Sequence, residues 1–175
     1  MTQDINRRRL LLTARWACYT LLLVLCYMLQ SNRVLFELGG IRPLWLPAAC
    51  LVLSVWEDAF PSAVYGMFAG LLWDLSSNRL AGFFAGFLLI CCFACSSVTQ
   101  LLLRRTVFNT CALSLCCLLL VTGLDFLFSY VLFGLPQRGM YYVGTLIPTV
   151  VYTVLVCAVL YPLFRFISRI GRSEA

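Results

Sequence analysis

Three observations predict an all-α integral membrane protein, a bundle of six transmembrane helices forming a single polytopic domain over residues 1–175. The chain is 62% hydrophobic and only 11% charged, about half the charged share of an ordinary soluble domain. Its apolar residues gather in repeated runs long enough to cross a hydrocarbon core. All 13 basic residues are arginine, and most flank those runs, where basic residues fix orientation in a bilayer. The net charge of +6 therefore gives no ground for nucleic-acid binding; the expected surrounding is lipid.

The first span runs from about Leu10 to Leu29, with Arg15 near enough to its inner end to snorkel to the interface. The run Asn6-Arg7-Arg8-Arg9 before it resembles the basic start of a signal sequence. No small-residue cleavage site follows, and the residues before Cys26 do not suit a lipoprotein signal, so it is expected to be an uncleaved anchor. The second segment, Pro43 to Trp56, would rise only about 21 Å as a helix, short of the roughly 30 Å core. The third covers Phe60 to Ser76, with Pro61 placed as a first-turn proline. The fourth covers Gly82 to Leu103. The fifth, Val107 to Phe133, is long enough to require tilt. The sixth runs from Tyr141 to Phe164, with Pro148 inside it and Pro162 near its end.

The arginines decide whether the short second segment crosses. With six crossings, Arg7, Arg8, Arg9, Arg15, Arg104, Arg105, Arg165, Arg169 and Arg172 share one side, against Arg33, Arg42, Arg79 and Arg138 on the other. Without that crossing every later loop inverts and the bias disappears. The positive-inside rule then favours six spans with both termini in the cytoplasm. The loops are short, and none is large enough to fold as a separate catalytic or binding domain.

Function classes narrow from what is missing. The chain has no histidine, and so lacks the usual ligand for zinc, copper or haem and the usual general base near neutral pH. Ten cysteines all fall within apolar runs, where thiols behave as small hydrophobes. Cys92 and Cys95 form a C-x-x-C, but mid-helix, with no acid or loop beside them to activate a thiol. No metal, cofactor or catalytic residue is expected.

The informative polar residues are two aspartates at membrane depth. Asp74, in "FAGLLWDLSS", stands near the outer end of the third span; Asp125, in "VTGLDFLF", comes 18 residues after the start of the fifth. Such groups are costly in lipid and by default face the bundle interior or a polar cavity. Either the two join an outward-facing cluster with Asn78, Arg79, Arg42 or Arg138, or each caps a helix end or forms one structural ion pair. At the inner side, Glu57 and Asp58 stand at a depth where Arg104 and Arg105 can meet them, an interfacial pairing of small worth. Gly66 and Gly70, then Gly82 and Gly86, are each spaced four apart, as in helix faces that approach closely. They flank "LLWDLSSNRLA" and predict a tight hairpin of the third and fourth spans.

At this hairpin the sequence resembles the rod shape-determining MreD family. The carriers are Gly70-Leu71-Leu72-Trp73-Asp74-Leu75 ending one span, Gly82 beginning the next, "IRPLWL" (41–46) and "TLIPTVVYTVLV" with its early proline. The resemblance implies a non-catalytic membrane subunit of the bacterial cell-elongation machinery that binds MreC, linked with the MreB cytoskeleton, the polymerase RodA and a class B penicillin-binding protein. It also implies a fold similar to the S components of energy-coupling factor transporters, which makes a vitamin-binding subunit the alternative. Against that alternative, Ala14 and Ala17 are three apart and do not form the expected A-x-x-x-A face. As structural or partner-docking residues the expectation names Gly66, Gly70, Asp74, Asn78, Arg79, Gly82 and Asp125.

Overall fold

A computed structural model describes residues 2–31, 41, 43–76, 82–103, 105–133 and 139–169. Six helices make up nearly all of it: α1 (Thr2–Ser31), α2 (Trp45–Trp56), α3 (Ala59–Ser76), α4 (Phe83–Leu101), α5 (Val107–Phe133) and α6 (Gly139–Arg169). The class is the predicted one, an all-α membrane protein. Stretches of α1, α4, α5 and α6 are each long and apolar enough to cross a membrane. Helices α1 and α6 run beyond the expected apolar spans at their arginine-bearing ends, because the helix ladder need not stop where lipid does.

The bundle is built around its shortest helix. Every residue of α2 from Leu46 to Val55 is buried, and α2 packs against all five other helices. A helix of 12 residues rises about 18 Å, too little to match lipid on its own. Wrapped by longer neighbours, it meets no lipid and has no thickness to match. The other helices carry the outer surface, with Leu21, Met67, Ile90, Leu119 and Leu155 among their exposed large apolar side chains. An apolar exterior of this extent belongs in a bilayer.

Burying α2 creates a problem at its ends, since the first N–H groups of a helix have no intrahelical acceptor. Its N-cap residue is Leu44, which has no capping side chain. The neighbours supply the acceptors. Gln30 of α1 accepts from the Leu46 N–H at 2.9 Å, and Thr153 of α6 accepts from the Leu44 N–H at 3.1 Å. Together with the Tyr19–Phe164 ring stack at 5.8 Å, these contacts set α2 antiparallel to α1 and parallel to α6. Residues 9–15 of α1, the α2–α3 turn, the start of α5 and the end of α6 consequently share one end of the bundle. The α3–α4 turn lies at the other.

Cysteines serve as packing throughout, and all ten are free thiols. Cys92 and Cys95 do not pair with each other; Cys95 meets Cys117 of α5 at 3.2 Å instead. Among the described residues no group of three or more cysteines and acids could hold a metal.

Candidate functional site

Helices α3 and α4 form the most extensive contact in the protein, and one stripe of α3 explains it. Gly66, Gly70 and Asp74 are four apart and all buried, so they lie on one face of the helix. At Gly70 the backbones touch: a Cβ there would collide with the Ala85 backbone and lie 2.5 Å from the Phe84 carbonyl oxygen. At Gly66 it would lie 2.6 Å from the Leu88 carbonyl oxygen and 2.9 Å from Cys92. Only hydrogen fits at either place. Gly86 is different. It is exposed, and a Cβ added there meets nothing within 4 Å. The second G-x-x-x-G is not the complementary face; Ala85, Leu88 and Cys92 of α4 are.

Asp74 completes the stripe by capping α4 from outside. The N-cap of α4 is Gly82, at φ +96° in the left-handed region and with no side chain to cap the helix. Asp74 does the work in its place. Its Oδ2 accepts from the Gly82 N–H at 2.9 Å and the Ala85 N–H at 3.2 Å, while Oδ1 accepts from the Phe84 N–H at 3.2 Å. These are the donors at the N-cap, N2 and N3 positions, which a helix leaves unsatisfied. The negative charge also sits at the positive end of the α4 dipole. Trp73 stacks on Phe84 with ring centroids 4.2 Å apart and covers the junction.

Of the other predicted residues at this end, Asn78, Arg79, Arg42 and Arg138 lie outside the described residues. Asp125 is half-buried on α5, and α3 and α5 are not among the helix pairs that pack extensively.

At the opposite end the structure corrects two expectations. Arg15 does not snorkel; it is 8% exposed and donates to Glu57 Oε2 at 3.2 Å. Glu57 in turn is not paired with Arg105. It is 3% exposed and also accepts from Tyr19 Oη at 2.8 Å, while its backbone carbonyl accepts from Ser96 Oγ at 2.7 Å. One residue thereby ties the C-terminal end of α2 to α1 and α4. Arg105 instead lies over the Trp56 ring, 5.8 Å from its centroid, and its carbonyl accepts from Tyr161 Oη at 2.8 Å. Arg104 is outside the described residues.

Both ends tie helices together, and among the described residues neither aligns a nucleophile with a base. The family model of rod shape-determining protein MreD matches residues 10–170 of the chain. No curated protein and no solved structure matches it, so the expected likeness to the S-component fold has no solved counterpart.

Proposed function

Because the chain belongs to the rod shape-determining MreD family, we propose that it acts as a non-catalytic membrane scaffold of the cell-elongation machinery. In this role it binds MreC and, directly or through it, RodA, a class B penicillin-binding protein and MreB, helping to organise peptidoglycan synthesis. The observation that carries the proposal is Asp74. The acid in the family-like motif is 8% exposed, and both its oxygens bond backbone N–H groups of α4. That is the task of a residue holding a shape for others to dock on. The alternative, a vitamin-binding subunit, draws no support from a carboxylate so engaged.

The bundle sits in the cytoplasmic membrane with both termini inside. Arg9 and Arg15 of α1, Arg105 at the start of α5, and Arg165 and Arg169 of α6 share one end, which the positive-inside rule assigns to the cytoplasm. Accessibility labelling of single cysteines added at the two termini should report both as cytoplasmic.

Function is tested by a mild-detergent pull-down of the tagged protein from its native membrane, identified by mass spectrometry. Recovery of MreC with wall-elongation proteins is expected. Recovery of a transporter coupling subunit with its two ATPases, without MreC, would overturn the proposal.

A further inference from the structure

The arginine-bearing end holds a groove of about 520 Å³ between α2, α5 and α6. Its cationic lining is Arg105, Arg165 and Arg169; its walls are Trp56 and Tyr161. On α6, Tyr161, Arg165 and Arg169 are successive positions four apart, which places them on one face. Arg105 is held in place from two sides. Its guanidinium lies over Trp56 and donates to the Trp56 carbonyl at 3.5 Å, and its own carbonyl is fixed by Tyr161.

Among the described residues no carboxylate lines this groove. The two described acids at this end are turned elsewhere, Glu57 to Arg15 and Tyr19 and Asp58 towards Gln100. Among the described residues none of the three arginines forms an ion pair. Three arginines lining one groove, with no counter-charge among the described residues, make a receptor for an anion, and guanidinium planes suit phosphate oxygens in particular. The start of α5, at Thr106 and Val107, also lines the groove and adds the positive end of a helix dipole to the same field.

The surroundings identify the source of the phosphate. Phe108 of α5 and Phe166 of α6 are 81% and 71% exposed, and Leu163, three residues before Phe166, is exposed too. Each of these apolar side chains stands within three residues of Arg105 or Arg165. They suit acyl chains and would serve no purpose for a free aqueous ion. We propose that the groove binds the headgroup of an anionic phospholipid from the leaflet at this end, the phosphate on Arg105, Arg165 and Arg169 and the acyl chains along α5 and α6. Basic pockets between transmembrane helices take anionic lipid headgroups by this physics.

The test is native mass spectrometry of the purified full chain in detergent, with phosphatidylglycerol or phosphatidylcholine of matched acyl chains added. Phosphatidylglycerol should be retained in preference, and excess inorganic phosphate should not displace it. Arg105→Gln should weaken retention about fivefold, with a similar factor for each further arginine removed. The double variant Arg165→Gln/Arg169→Gln alters only exposed side chains, so it tests the site even if Arg105→Gln disturbs folding. Arg9→Gln, an exposed arginine at the same end and outside the groove, should change nothing. Equal retention of both lipids, full displacement by phosphate, or an equal loss in the Arg9 variant would each overturn the proposal.

Discussion

At one end of the bundle Asp74 gives both carboxylate oxygens to backbone N–H groups of α4. At the other, Glu57 places its carboxylate between Arg15 and Tyr19 of α1. Both acids are buried, yet they depend on different partners. The first reads main chain and a helix dipole, which no substitution on α4 other than proline removes. The second reads a cation that must itself stay buried. A cap is local to one hairpin; this ion pair is a condition imposed on two side chains 42 residues apart. The two ends should therefore fail differently.

The largest effect is expected at the ion pair. Arg15→Ala leaves the Glu57 carboxylate buried without its cation, a change that costs about 3–5 kcal/mol. Glu57→Gln strands the Arg15 charge instead and should be nearly as severe. Both are read as a fall in the apparent unfolding midpoint of the purified protein in detergent. If either variant unfolds like the unaltered chain, the pair contributes nothing and the contrast between the ends fails.

Gly70→Ala comes next, at about 3 kcal/mol, because its Cβ meets backbone that cannot turn aside. Gly86→Ala sharpens the comparison. The motif spacing is the same, but that position is open, so the variant should be neutral or gain about 0.5 kcal/mol from replacing a mid-helix glycine. Equal destabilisation by the two would mean that α3 and α4 do not pack through the Gly66–Gly70–Asp74 stripe.

The cap should give the smallest loss. Asp74→Ala removes three hydrogen bonds at once, about 2 kcal/mol by the usual worth of a cap with its desolvated donors. Asp74→Asn keeps one acceptor oxygen, so it should lose distinctly less than Glu57→Gln. The reverse order would show that the backbone donors of α4 are not what holds the Asp74 carboxylate.

The helices, their order and the α3–α4 hairpin were legible because apolar runs and glycine spacing are local signals. The partner of Asp74 was harder to read. The side chains expected around it lie outside the described residues, and the partners that are described are main-chain donors eight to eleven residues on. The available signal was that a helix beginning at Phe83 has a glycine N-cap, which has no side chain to cap it. Which glycine pair packs was not legible either, since Gly82 and Gly86 fit the same pattern as Gly66 and Gly70.

The Arg15–Glu57 pair was missed for a geometric reason. Helix α2 begins beside Gln30 and rises about 18 Å, while α1 takes about 22 Å to run from Gln30 back to Arg15. The short helix therefore ends near the level of Arg15, well before the interface where Arg105 was expected to meet Glu57. The depth of the acid follows from the length of α2, and that length was read only as a question about crossing. The same buried helix draws Glu57 away from Arg105.

The central claim is that Asp74 holds the α3–α4 hairpin by capping α4, and it is tested most directly by hydrogen exchange of Asp74→Ala against the unaltered protein in detergent, resolved by peptide. Exchange should be faster only in the first turn of α4, around Phe84 and Ala85, with the segments carrying Arg15 and Glu57 as protected as before. Unchanged protection at Phe84 and Ala85 would contradict it.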